Sequence, residues 1–186
     1  MAALAEHLRV SPEDLGARIL AGELAYSLGK LDEARLHFEI FLCASQTMAE
    51  APVAYVIHCH TRLVEIAEEE NDRYAEHLNR GLGLYVLAMH GCNNTAPPGE
   101  ITQAALLTRA AEELQLARAC QPWQARPHYY LYLVWRELGQ GAAAVRSLRA
   151  ADAQALVSHM TPKEHCDLQL AWVRELRESG DQLPKR

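Results

Sequence analysis

Apolar residues recur along the chain at helical spacing, three to four residues apart, and the polar positions between them fall on the opposite face. Ile19, Leu20, Leu24 and Leu28 mark a first helix that opens at Ser11-Pro12-Glu13-Asp14 and runs to about residue 28. Ser11 is the expected N-cap there, Pro12 suits the first helical position, and the two acids oppose the positive end of the helix dipole. Gly29-Lys30 predicts a tight turn, and Ala34, Phe38, Phe41 and Leu42 then share one face of a second helix. A break at 46–52 separates this from a third helix over 52–69, which ends in Glu68-Glu69-Glu70-Asn71-Asp72. A fourth helix covers 72–90 with Tyr74, Leu78, Leu82, Tyr85, Val86 and Met89. Two Pro, two Gly and two Asn within 91–99 predict an irregular loop. Further helices are expected over 100–120, 125–138 and 142–157, the last two joined by a turn at Gly139-Gln140-Gly141. Thr161-Pro162-Lys163-Glu164 opens an eighth helix to about residue 178, with Thr161 as N-cap and an acid three residues on. The expectation is about eight helices in one domain spanning 1–186, with a structured core over 11–178 and a frayed tail over 180–186. Short turns make successive helices antiparallel neighbours.

Two helical pairs read alike. Leu28-Gly29-Lys30-Leu31-Asp32-Glu33-Ala34 leads to Phe38, and Leu138-Gly139-Gln140-Gly141 leads through Ala144 to Leu148. In each, an Ala stands five residues beyond a turn Gly, and a bulky residue follows four after the Ala. Physically, the Ala lets two helices approach, the Gly closes the turn, and the bulky residue fills the groove between hairpins. Ala110, Leu114, Ala117 and Pro122 repeat the second half of the pattern 34 residues before Ala144. Ala75 is a looser match.

These residues resemble the tetratricopeptide repeat, a 34-residue helix–turn–helix unit. The resemblance covers most of residues 13–157. It implies an all-α fold of stacked antiparallel hairpins, an α-solenoid, with a concave groove that holds a partner polypeptide. The alternation of first and second helices slips once between the third and fifth predicted helices. One solution pairs the fourth helix with the fifth, so that 91–99 is an insertion within a repeat.

Composition agrees with helix and narrows the function. The chain has 30 Ala and 27 Leu against 20 Val, Ile and Thr together, which excludes an all-β fold. A net charge of -6 disfavours nucleic acid as a partner. The apolar runs are too short for a membrane span, and the first residues lack the features of a secretory leader. Five scattered Cys (Cys43, Cys59, Cys92, Cys120, Cys166) argue against a disulfide framework and for a reducing, cytoplasmic setting.

Candidate chemistry is sparse. His58-Cys59-His60 is the densest group, but side chains two apart on a helix point about 200° away from each other. No His pair has the i,i+3 or i,i+4 spacing of a helical chelate, so neither a metal nor another cofactor is expected. A Cys–His pair meeting in space would be the enzyme alternative, but no nucleophile elbow or phosphate loop accompanies it. Gly81-Leu82-Gly83 reads as helix packing or a kink. The acidic run 68–72 reads as a solvated turn or, alternatively, a patch for a basic partner. Tyr132 and Trp135 read as core.

Arg126, Tyr129, Leu133 and Arg136 form one stripe of the sixth predicted helix, and Gly16, Ile19, Glu23 and Tyr26 form its counterpart on the first. The resemblance places such stripes on the concave groove. Arg126, Tyr129, Leu133, Arg136, Glu23 and Tyr26 are therefore the expected partner-binding residues, with an acidic peptide as the match for the arginines. The ordinary alternative is an amphipathic face with snorkelling Arg stems. The function expected is a non-catalytic scaffold or adaptor. The alternative is a structural subunit, docking into a larger assembly or a homodimer through its last helix, where Leu168, Leu170, Trp172, Val173 and Leu176 spread over more than one side.

Overall fold

The periodic segments fold into helices and, among the described residues, no strand forms. The structure is a computed structural model and describes residues 2–48, 52–90 and 102–180. It has α1 (Ala2–Val10), α2 (Leu15–Ser27), α3 (Leu31–Ser45), α4 (Val53–Glu70), α5 (Arg73–His90), α6 (Gln103–Cys120), α7 (Ala125–Glu137), α8 (Gly141–Gln154) and α9 (Pro162–Gly180). The predicted loop at 91–99 and all of the predicted tail except Gly180 lie outside the described residues.

The count is nine described helices rather than eight, because α1 precedes the expected core. Its only burying face is short: Leu8, with Leu4 beside it, packs on Ala17 and Ala21 of α2. The cap of α2 also moves. Ser11-Pro12-Glu13 is a turn between two helices, and Asp14 Oδ1 accepts the Ala17 N–H at 2.9 Å. His7 Nε2 meets the other Asp14 oxygen at 2.8 Å, tying α1 to that cap. At α9 the expected capping box forms in full. Thr161 Oγ1 accepts the Glu164 N–H at 3.1 Å, and Glu164 Oε2 accepts the Thr161 N–H at 2.8 Å. α8 stops at Gln154, three residues earlier than its pattern suggests.

Three hairpin turns are built alike. Gly29, Asn71 and Gly139 all take the left-handed conformation, with φ of 69°, 58° and 70°. In each the next residue's N–H reaches back five residues: Lys30 to the Ala25 carbonyl, Asp72 to Ala67, and Gln140 to Trp135, all at 2.8–2.9 Å. This is the Schellman ending, which satisfies the last helical carbonyls and reverses the chain. Glycine pays no Cβ cost there, and Asn is the side chain that tolerates it best.

Close helix approach falls where small residues were read. Ala34, Ala110 and Ala144 are essentially fully buried. A Cβ on Gly22 would lie 2.6 Å from Phe38 Cε1, and one on Gly81 would lie 2.8 Å from Leu114 Cγ. The residue four after the Ala thus packs onto a Gly of the preceding partner helix in both α2–α3 and α5–α6. Gly83 faces the other way, with its missing Cβ 3.3 Å from His60 Cβ on α4. Gly81-Leu82-Gly83 is therefore packing on two sides: α5 packs broadly against both α4 and α6, and also touches α7.

Three apolar clusters follow one another along the chain. The first joins α2, α3 and α4 around Phe38, Phe41 and Ile66. The second joins α5, α6 and α7 around Leu82, Leu107, Leu114 and Leu131. The third joins α7, α8 and α9 around Tyr132, Leu148 and Leu168. Each fully buried Leu or Phe contributes about 1.5–3 kcal/mol of transfer free energy.

Candidate functional site

The two predicted stripes do not stand open. Each faces the next helix that runs parallel to it. Along α2, Glu23 is gripped by Arg62 of α4 through two bonds, Nε to Oε1 at 2.8 Å and Nη2 to Oε2 at 2.9 Å. His58 Nε2 also lies 2.8 Å from Glu23 Oε1, and Arg62 reaches on to Glu65 at 2.7 Å. Burial alone would raise the Glu23 carboxyl, but the bonds from Arg62 and His58 outweigh it and hold it below its usual range. Tyr26 donates its hydroxyl to Glu69 at 3.0 Å, and the Arg62 guanidinium lies over its ring, 5.0 Å from the centroid.

Along α7 the arrangement repeats with the charges exchanged. Arg126 bonds Glu164 of α9 through Nε at 3.0 Å and Nη2 at 2.9 Å, and Tyr130 donates to the same oxygen at 3.0 Å. Glu164 is 2% exposed. Burial works against the Arg126 charge, but Glu164 and Tyr130 hold its pKa above the ordinary value. Arg136 bonds Glu175 at 2.6 Å and Glu178 at 3.0 Å, and Tyr132 donates to Glu175 at 3.2 Å. Tyr129 is buried, edge-on to Tyr130, and half-buried Leu133 packs against the α7–α8–α9 cluster. The structure thus brings Glu23 and Tyr26 to one seam and Arg126, Tyr129, Leu133 and Arg136 to another.

What the sequence reading missed is the other half of each seam: Arg62, Glu69, Glu164, Glu175 and Glu178. A signal existed. Glu23 and Arg62 are 39 residues apart, as are Arg136 and Glu175, and Arg126 and Glu164 are 38 apart. Opposite charges recur at the distance that separates parallel helices two elements apart.

The open space lies elsewhere. A cavity of 540 Å³ sits between α3, α4, α5, the start of α7 and the segment before α9. Arg126 is the one expected site residue on its lining. Arg35, Glu39 and Cys43 line it from one face of α3, and Gln46 from its C-cap. Arg35 is ion-paired with Glu70. Leu63, Ala67 and Leu78 form apolar wall, and Tyr74 and Ala75 add the start of α5. His60 reaches the lining with Nδ1 3.0 Å from Asn79 Oδ1. Burial pushes its pKa down to about 4, so it is neutral near pH 7. Thr161 donates to Gln46 at 2.6 Å, a bond between residues 115 apart that joins the end of α3 to the start of α9. The cavity is therefore bordered by both halves of the chain and mixes apolar wall with paired charges.

His58 and His60 diverge, one onto Glu23 and the other onto Asn79. Among the described residues, no three His, Cys, Asp or Glu side chains converge as a metal cluster, and no helix is long and apolar enough to cross a membrane. Cys43, Cys59, Cys120 and Cys166 are free thiols. No family model, no curated protein and no solved structure matches the chain.

Proposed function

We propose that this chain is a non-catalytic, cytoplasmic scaffold of stacked tetratricopeptide-like hairpins that binds a segment of a partner polypeptide. The observation that carries this reading is the 540 Å³ cavity walled by helices from both halves of the chain. The repeat resemblance is supported by the shared turn geometry at Gly29 and Gly139 and by the matching Gly22–Phe38 and Gly81–Leu114 approaches. The free cysteines favour a reducing compartment. The partner enters the cavity past α3, and the α2–α4 and α7–α9 ion pairs hold the walls in place around it.

Cys43 gives a direct test, because it is exposed and lines the cavity. A photo-crosslinker attached there should capture a polypeptide from native extract that Ala75→Trp, which fills the same cavity, no longer yields while helicity is unchanged. No polypeptide captured from Cys43, or equal capture with Ala75→Trp, overturns the assignment.

A second reading has its own observation. Leu170, Val173 and Leu176 are exposed on α9 while Leu168 and Ala171 are buried, and Leu156 before it is 96% exposed. Such two-sided apolarity suits a structural subunit that docks through its last helix, into a larger assembly or a homodimer. Sedimentation at micromolar concentration tests self-association, and a strict monomer counts against the homodimer.

A further inference from the structure

The arginines that face inward are neutralised: Arg35, Arg62, Arg126 and Arg136 each pair with a carboxylate. A second groove, of 410 Å³, lies between α6, α7 and α8 and shares no lining residue with the cavity. Its charges are Arg118 from α6 and Arg146 from α8, and no lining residue is acidic. Both arginines are exposed, and the ion pairs of the described residues engage other arginines. Gln115, Gln140 and Ser147 add neutral hydrogen-bonding groups, and half-buried Trp135 adds an apolar wall. Burial lowers the His128 pKa, Arg118 acting in the same direction and the Pro122 carbonyl oxygen, 3.2 Å from its Nε2, acting against it.

On a chain of net charge -6 this is a local reversal of sign. Arginine is the side chain whose planar fork matches a carboxylate, and Arg beside Trp is the pairing that concentrates binding energy at interfaces. Two cations are too few to hold a nucleic-acid backbone against an acidic protein, since that mode needs many phosphates neutralised. We propose that this groove binds an acidic polypeptide segment, whose carboxylates pair with Arg118 and Arg146 while an apolar side chain rests on Trp135. The site is independent of the cavity and stands whether or not the cavity is filled.

The test uses the full chain and dye-labelled probes: a Glu-rich peptide carrying one Leu, its Gln counterpart, and a single-stranded oligonucleotide. Fluorescence anisotropy should report salt-sensitive binding of the Glu-rich peptide alone. Arg118→Ala with Arg146→Ala should weaken it by about tenfold or more, because two charge-assisted pairs are lost. Arg174→Ala with Arg177→Ala removes the same net charge from exposed positions of α9 and should change it less than about twofold. All four positions are exposed, so the melting curves of both variants should match the parent. No binding of the Glu-rich peptide, equal losses in the two double variants, or tighter binding of the oligonucleotide overturns the proposal.

Discussion

The α2–α4 and α7–α9 seams use the same device at different depths. Each ties a helix to the next parallel one by an Arg–Glu pair 38–39 residues apart and a Tyr hydroxyl that donates to a carboxylate. In the first, the acid is on α2 and the pair is part-exposed. In the second, the bases are on α7 and one carboxylate, Glu164, is almost wholly buried. Glu164 also closes the α9 capping box and accepts from Tyr130. The same contact thus acts as a surface fastener at one end and as a structural centre at the other. Solvent sets the value: an exposed pair is screened, whereas a buried one that loses a partner strands a charge.

Glu164→Ala and Glu23→Ala together test that difference between the seams. Glu164→Ala leaves Arg126 unpaired, Tyr130 without its acceptor and the Thr161 N–H without its half of the capping box, so urea denaturation should show a loss of about 3–5 kcal/mol. Equal losses at the two sites would mean that depth does not matter here.

The next effect is acid sensitivity at His60, which lies between the two seams. Its folded pKa is depressed from 6.5 to about 4, so below 6.5 the unfolded chain takes up a proton that the folded one refuses. Stability should therefore be full above pH 6.5 and fall toward pH 4, by about 3 kcal/mol, as that difference opens. His60→Gln should flatten the fall in a pH series of urea midpoints.

Backbone approach comes third. Gly81→Ala meets Leu114 Cγ at 2.8 Å and should cost about 1–2 kcal/mol net of its helix-propensity gain. Gly83→Ala, whose nearest neighbour is His60 Cβ at 3.3 Å, should be milder in the same thermal melts. Smallest is Glu23→Ala itself, at about 1 kcal/mol, because its site is part-exposed and Arg62 keeps Glu65 as a partner. High salt should shrink that loss and leave the Glu164 loss largely intact.

Much of the fold was legible. Eight of the nine described helices follow from apolar spacing and turn residues, within a few residues of their ends, because 3.6-residue periodicity and left-handed turn positions are local properties. Thr161 and Glu164 announce their capping box for the same reason. The shared helix α5 was half legible: Gly81 and Gly83 signalled close packing, but not that one faces α6 and the other α4. α1 was illegible because its burying face, Leu4 and Leu8, is too short to show a period. The expected binding stripe shows the limit of local reading. Tyr129 and Arg136 share a helical face whether that face meets a partner or α9.

Most helix starts, turns and close approaches follow from local sequence, since caps, left-handed glycines and small residues act through neighbours a few positions away. Which faces remain open depends instead on contacts between distant elements. A charge 38 or 39 residues distant neutralised Arg126, Arg136 and Glu23, while among the described residues no carboxylate pairs with Arg118 or Arg146. Coulombic pairing and burial depend on distance in space, and the packing of parallel helices sets that distance.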